Sequence, residues 1–330
     1  MSKDQMDVVG IGNAIVDVLA ETTDSFLDSA GLVKGSMSLI DAEQAEALYR
    51  GLDAPMECSG GSAANTIVGL ASFGANVCYV GKVRDDALGE VFARDIRDAG
   101  VSYETEAATA GPGTARCIVL VTPDAQRTMQ TFLGASISLA PADISEHAIA
   151  RAKVVYLEGY LYDPPEAKRA FLQAAEMAHR NGCKVALSLS DAFCVDRHRD
   201  EFRDFVKNHV DLLFANEDEI VSLYQVPKFE SAVLEVRADC RMAALTRGAR
   251  GSVIVHGQDL HVIEAEKVEK VVDTTGAGDL FAAGFLFGYT RGQDPQICGK
   301  LGSLASAEII SHYGARPKAS LADLARRFHA

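Results

Sequence analysis

Seven consecutive residues, Asp273-Thr274-Thr275-Gly276-Ala277-Gly278-Asp279, put together the types that handle an anion and a proton side by side. Gly276 and Gly278 let a backbone approach a ligand closely, and the apolar run over 280–289 marks a helix starting here. A helix start aims unpaired N–H groups and a positive field at whatever lies above it, which suits a phosphate. Asp279 in the first turn is the informative residue, because a carboxylate beside a phosphate repels it unless it has a task. Taking the proton of an attacking hydroxyl is such a task. Asp279 is therefore the candidate general base, beside a candidate anion site where Gly276 and Gly278 open the helix. An acidic first turn of an ordinary helix is the competing account.

Other polar clusters sit where strands should end. Ser59-Gly60-Gly61-Ser62-Ala63-Ala64-Asn65 opens a helix with Ile67, Leu70 and Ala71 on one face; Gly60 and Gly61 permit close contact and Asn65 can both donate to and accept from a polyol. A cap by Ser62 with a solvated Asn65 explains the same residues. Asn13 and Asp17 follow the first strand, where hydroxyls of a ligand could lie, though a turn residue and a surface acid fit as well. Asn216 and Glu219, three apart at a helix start, suit Mg2+ held through waters. Thr246-Arg247-Gly248-Ala249-Arg250-Gly251 is either a loop for a nucleotide's phosphates or ribose, or a plain hairpin turn. The run Gly10-Ile11-Gly12-Asn13-Ala14-Ile15 lacks the third glycine of a dinucleotide fingerprint, and no P-loop pattern occurs.

Positioning these groups requires strands that end near one another. Short β-branched runs at 7–12, 77–83, 153–159, 184–189, 212–215, 242–246 and 252–256 alternate with stretches of helical period, which predicts an α/β fold with a mainly parallel sheet covered by helices on both faces. Two regions break the rhythm: 14–38, and the pair 114–122 and 127–133 around Pro123-Asp124-Ala125-Gln126. The pair predicts a β-hairpin, and neither region has a crossover helix. A small antiparallel sheet closing over the strands' carboxyl ends is expected, a lid drawn from about 14–40 and 107–134 on a single domain spanning 1–330.

Composition narrows the partners. The 330 residues carry a formal charge of −14, which repels a polyphosphate backbone, so nucleic acid is not an expected partner. No run approaches the ~18 apolar residues of a membrane span, and a basic-then-apolar leader pattern is missing, so a cytoplasmic protein is expected, without a membrane partner. Seven scattered cysteines, Cys58, Cys78, Cys117, Cys183, Cys194, Cys240 and Cys298, with no C-x-x-C spacing, read as reduced thiols.

Taken in order, these segments resemble the PfkB family of carbohydrate and nucleoside kinases over nearly the whole chain. The most specific parts are the stretch 60–89, ending Val80-Gly81-Lys82-Val83-Arg84-Asp85-Asp86-Ala87-Leu88-Gly89, and the signature over 273–284. The resemblance implies a three-layer ribokinase-like sandwich with a small β-sheet lid, and ATP-dependent phosphoryl transfer to a primary alcohol with Asp279 as base and the amides of Gly276, Ala277 and Gly278 as the anion hole. It further implies that Asn13, Asp17, Gly60, Gly61 and Asn65 bind the acceptor, that Asn216, Glu219, Thr246, Arg247, Gly248 and Gly251 serve ATP and Mg2+, and that Asp273 and Thr275 belong to a monovalent-cation loop, with K+ the expected ion. Gly12-Asn13 to Asp17, the Phe26-Leu27 helix and Leu189-Ser190-Asp191-Ala192-Phe193 resemble the adenosine-kinase branch. There Arg127 would swing onto the transferring phosphate, and Tyr160 and Phe193 would pack the base. The expected reaction is phosphorylation of the 5′-hydroxyl of adenosine or a related purine nucleoside by a monomer or homodimer. A sugar kinase acting on ribose or fructose, and a non-catalytic nucleoside sensor, are the alternatives.

Overall fold

The computed structural model describes residues 5–124 and 126–328, so Ala125 of the expected hairpin turn lies outside the described residues. In chain order the strands are β1 (Met6–Ile11), β2 (Ile15–Glu21), β3 (Met37–Leu39), β4 (Met56–Gly60), β5 (Val77–Val80), β6 (Ser102–Tyr103), β7 (Ala115–Val121), β8 (Arg127–Phe132), β9 (Ala152–Glu158), β10 (Lys184–Ser188), β11 (Leu212–Asn216), β12 (Met242–Thr246), β13 (Ser252–His256) and β14 (Asp259–Ile263). They make two sheets. The larger runs β14-β13-β12-β11-β10-β9-β1-β5-β6, parallel from β12 to β6.

Successive residues of the central strands point to opposite faces, and both faces are covered. Val8, Val154, Tyr156, Ala186, Leu212 and Phe214 join one core with the Ser62–Ser72, Ala277–Tyr289 and Pro295–Ile309 helices. Val9, Val155, Leu157, Val185, Leu187 and Leu213 join the other with the Pro165–Arg180, Ala192–His209 and Phe229–Asp239 helices. This is the expected three-layer α/β arrangement. One edge departs from it: β12, β13 and β14 pair antiparallel. The link from Thr246 to Ser252 is a single tight turn over Gly248–Arg250, too short for a parallel crossover, so 246–251 joins the two strands as a hairpin turn.

The smaller sheet runs β3-β8-β7-β2-β4. The expected hairpin is present as antiparallel β7 and β8, but the sheet is mixed, not antiparallel: β2 pairs parallel with β7 and β3 with β8. It also recruits β4, a segment outside the expected lid, which hydrogen-bonds along β2.

Two helix packings set up the site. The Ser62–Ser72 helix begins at Gly61, whose φ of 99° is costly for any other residue and whose Cβ would fall 2.3 Å from the Asn13 carbonyl oxygen. From Ala63 to Leu70 it is buried, on more than the one face its period suggested, because it lies between the sheet and the Ala277–Tyr289 helix. At Gly69 a Cβ would stand 2.7 Å from Leu280 Cδ1 and 2.8 Å from Ala283 Cβ, so the missing side chain lets the two helices close up. Their N-termini then meet.

Candidate active site

At that meeting point the Ser62 hydroxyl donates to Asp279 Oδ1 at 2.6 Å and the Asn65 amide donates to Oδ2 at 2.9 Å. Ser62 is thus a carboxylate ligand and not the helix cap, which is Gly61, and Asn65 is buried, not solvated. Burial pushes the Asp279 carboxyl above its ordinary pKa, while these two bonds and the charge of Arg316 pull it back. Around it the Ala277 N–H donates to the Thr274 carbonyl at 3.2 Å, so one amide of the expected anion hole is already engaged. Among the described residues the amides of Gly276, Gly278 and Asp279 have no internal acceptor, and Gly278 is exposed. A carboxylate with both oxygens fixed therefore stands beside free amides at a helix N-terminus, where an anion and an acidic proton can be handled together.

The small sheet reaches this centre through β8. Arg127 Nη2 pairs with Asp273 Oδ2 at 2.7 Å and its Nη1 donates to Thr275 Oγ1 at 3.3 Å. The other Asp273 oxygen accepts from the Thr275 amide and hydroxyl, and Gly314 N–H donates to Oδ2 at 3.0 Å. Asp17, on β2, sits between Cys58 on β4 and Cys117 on β7 in register. A Cβ at Gly60 would lie 2.4 Å from the Asp17 carboxyl carbon. Burial pushes Asp17 up to about 6, with Arg316 and Arg127 pulling it down and Asp279 adding to the rise. Asn13 turns inward: its Nδ2 donates to Glu158 Oε1 at 2.7 Å and its Oδ1 accepts from Ser136 Oγ at 2.9 Å.

Two aromatic side chains stand at the carboxyl ends of β9 and β10. Phe193 is 71% exposed and Tyr160 40%, against the general tendency of aromatics near strand ends to be core. The Tyr160 N–H donates to Ser190 Oγ and the Cys194 thiol to the Gly159 carbonyl, which ties the two loops together. The Arg197 guanidinium lies 4.4 Å over one face of the Phe193 ring. At the carboxyl end of the neighbouring β11, Asn216 is the N-cap of the Glu217–Tyr224 helix, not a residue on its face. Asn216 and Glu219 form a capping box in which each accepts from the other. Arg247 donates to Glu217 Oε2 at 3.2 Å and covers Phe229, while Arg250 also pairs with Glu217. Gly248 and Gly251 make the turn's positive-φ positions, and Thr246 pairs with Ser252.

Glu158 and Arg316 were not foreseen. Glu158 closes the buried run 154–157 of β9 and is itself fully buried, accepting from the amides of Asn13 and Ala63 and the Asn13 side chain; an acid directly after that run was the available signal. Arg316 lies in a C-terminal segment with no motif at all. The seven cysteines are free, five of them buried, as their scatter suggested.

The buried acids give a pH signature. Burial pushes Glu158 and Glu219 up to about 7 and Asp17 to about 6, so the folded chain holds protons that the unfolded chain, with ordinary carboxyls near 4, releases. Stability from these groups is fully present below the unfolded pKa and is lost as pH rises through the folded values. Thermal unfolding across about pH 5.5 to about pH 8 is expected to show Tm falling with pH. A Tm that stays level or rises over that window contradicts the assignment of three protonated buried acids.

Comparison with known proteins agrees with this geometry. The model of the pfkB family carbohydrate kinases matches residues 55–321. The crystal structure of an adenosine kinase from Sinorhizobium meliloti is 48% identical, with a TM-score of 0.90 over 98% of this chain and 99% of that one. A probable sugar kinase from Rhizobium etli CFN 42 is 47% identical, with a TM-score of 0.91 over 99% of each chain. The adenosine kinase of Saccharomyces cerevisiae is 27% identical over 93% of this chain and 95% of its own. On that match the chain belongs to the pfkB family of carbohydrate kinases, ATP-dependent phosphotransferases whose acceptor is a hydroxyl group.

Proposed function

We propose that this kinase transfers the γ-phosphate of ATP to the 5′-hydroxyl of a purine nucleoside, adenosine above all. The observation that carries the reading is the Asp279 carboxylate, fixed by Ser62 and Asn65 beside the unpartnered amides of Gly276, Gly278 and Asp279. Asp279 takes the hydroxyl proton as the new oxygen–phosphorus bond forms, and ADP leaves. The free amides receive the charge that builds on the transferring phosphoryl group, and positioning supplies most of the rate. Asp17, Gly60, Gly61, Asn65 and Asn13 bind the ribose side of the acceptor, while the exposed rings of Tyr160 and Phe193 offer flat apolar surface for a base.

Mg2+ arriving with the nucleotide would neutralise phosphate charge. Both Glu219 oxygens already accept from Asn216, so this pair suits a role through water and not direct ligation. Thr246, Arg247, Gly248 and Gly251 border the nucleotide. Asp273 and Thr275 lie in the loop that would face K+, with the Asp273 side chain given over to protein donors.

The test is ADP release with ATP and each of adenosine, inosine, guanosine, cytidine, ribose and fructose. Adenosine is expected to give the highest kcat/KM, with the other purine nucleosides next. Preference for ribose or fructose replaces the nucleoside by a sugar acceptor, and nucleoside binding without ADP release from any acceptor makes the protein a sensor.

A further inference from the structure

The segment Gly314-Ala315-Arg316, which follows the Pro295–Ile309 helix, touches three parts of the centre at once. Gly314 N–H donates to Asp273 Oδ2, the carboxyl oxygen that Arg127 also holds. Ala315 packs on the glycine turn, where a Cβ at Gly276 would lie 3.1 Å from its own. Arg316 then runs under the turn between β4 and the Ser62–Ser72 helix. Its Nε donates to the Ser59 carbonyl at 3.1 Å, its Nη1 to the Ala64 carbonyl at 3.0 Å and its Nη2 to Ser59 Oγ at 2.8 Å. Those carbonyls flank Ser62, and Asn65 follows directly, so the guanidinium grips the turn that holds Asp279. Ser59 is fixed from the far side by Asp95.

The charge on this arginine has no carboxylate at ion-pair distance among the described residues. It is shared with acids a little further off: Asp17 on β2, Asp95 on the Ala87–Asp98 helix and Asp279 itself, with Cys58 of β4 also in its field. Asp279 in turn is felt by Asp17, by Tyr156 and Glu158 of β9 and by Tyr160. Every other titratable neighbour of Asp279 named here is an acid or a phenol. Among the described residues, Arg316 is the one cation in its immediate balance.

We propose that Arg316 is a positioning residue for phosphoryl transfer, bracing the turn that presents Ser62 and Asn65 and supplying the positive charge that lets Asp279 stand ionised beside Asp17. Its proximity lowers the pKa of both carboxyls, so its removal moves Asp279 further up. A base that must be ionised then loses activity at higher pH on the acidic limb of the rate profile.

This inference rests on Asp279 acting as the base, so the experiment on the full-length chain includes Asp279→Asn beside Arg316→Gln and Arg316→Lys. For each, kcat, acceptor KM and the pH profile of kcat/KM are measured with the best acceptor, and folding is followed by thermal unfolding. Arg316→Gln is expected to lower kcat by about 10–100-fold, to change acceptor KM by less than about 3-fold and to move the acidic limb to higher pH. Arg316→Lys keeps the charge and loses the fork, so it retains the position of the limb with a reduced kcat. A folded Arg316→Gln with kcat within about 2-fold and an unmoved limb overturns the proposal. If Arg316→Gln does not fold, Arg316→Lys decides: a moved limb or an unchanged kcat overturns it. Retained turnover in Asp279→Asn would instead refute the base assignment.

Discussion

Replacing Asp279 by Asn is expected to cut turnover by about 10²–10⁴-fold while leaving acceptor and nucleotide affinity nearly unchanged. The substitution keeps the shape of the side chain and removes only its capacity to take a proton. Ser62 can still donate to, or accept from, an amide in that place, so the two helix N-termini keep their approach. Asn65 already presents an NH2 group to Oδ2, and the new amide must turn its oxygen there. Stability should rise slightly, because a carboxyl whose pKa burial has pushed up is replaced by a neutral group. Steady-state kinetics with calorimetric binding of acceptor separate the two effects: kcat collapses and affinity holds. Turnover within about tenfold of the unsubstituted enzyme would remove Asp279 from the reaction and, with it, the reading of this site as a base beside an anion hole.

What the sequence disclosed about this centre follows from how local each signal is. The glycine turn and Asp279 were legible because one short stretch carries the turn, the helix start and the acid. The central strands were legible because burial on both faces needs unbroken β-branched runs, and these stand out between helical stretches. The small sheet was less so. Its parallel pairs join β2 to β7 and β3 to β8 across about a hundred residues, and nothing in 56–60 announces an edge strand completing it. The meander β12-β13-β14 was half seen, since the turn at 248–251 reads equally as a ligand loop. Asn216 and Glu219 show the limit of spacing arguments: a capping box and an ion-ordering pair use the same residues at the same interval. Arg316 was invisible because its meaning lies wholly in contacts some 250 residues away in the chain.

Replacing Arg127 by Gln is expected to lower kcat by about 10²-fold, the scale of losing one positioned charge or donor at a phosphoryl-transfer centre. Arg127 is the point at which the small sheet grips the core: its guanidinium spans Asp273 and Thr275, just ahead of the glycine turn, and lies over the Tyr313 ring. Both partners of the ion pair are at least nine-tenths buried, at 10% and 7% side-chain exposure, so breaking it also costs stability, about 3 kcal/mol. Asp273 keeps the Thr275 and Gly314 donors, which limits the damage to the loop itself. A strut and a phosphate-binding cation predict different things. If Arg127 only ties the sheets together, the variant melts earlier but turns over normally per folded molecule. If, as the family resemblance implies, the guanidinium passes from Asp273 to the transferring phosphoryl group, kcat falls even where the variant is fully folded, and Arg127→Lys recovers part of it by restoring the charge without the fork. The loss also reaches Asp17, whose carboxyl burial pushes up to about 6 and Arg127 helps to keep from rising further. Without it that carboxyl is protonated over a wider range, so acceptor KM should worsen more near pH 6 than near pH 8. A folded Arg127→Gln enzyme with unaltered kcat and the same pH dependence of KM would leave the arginine as a strut alone.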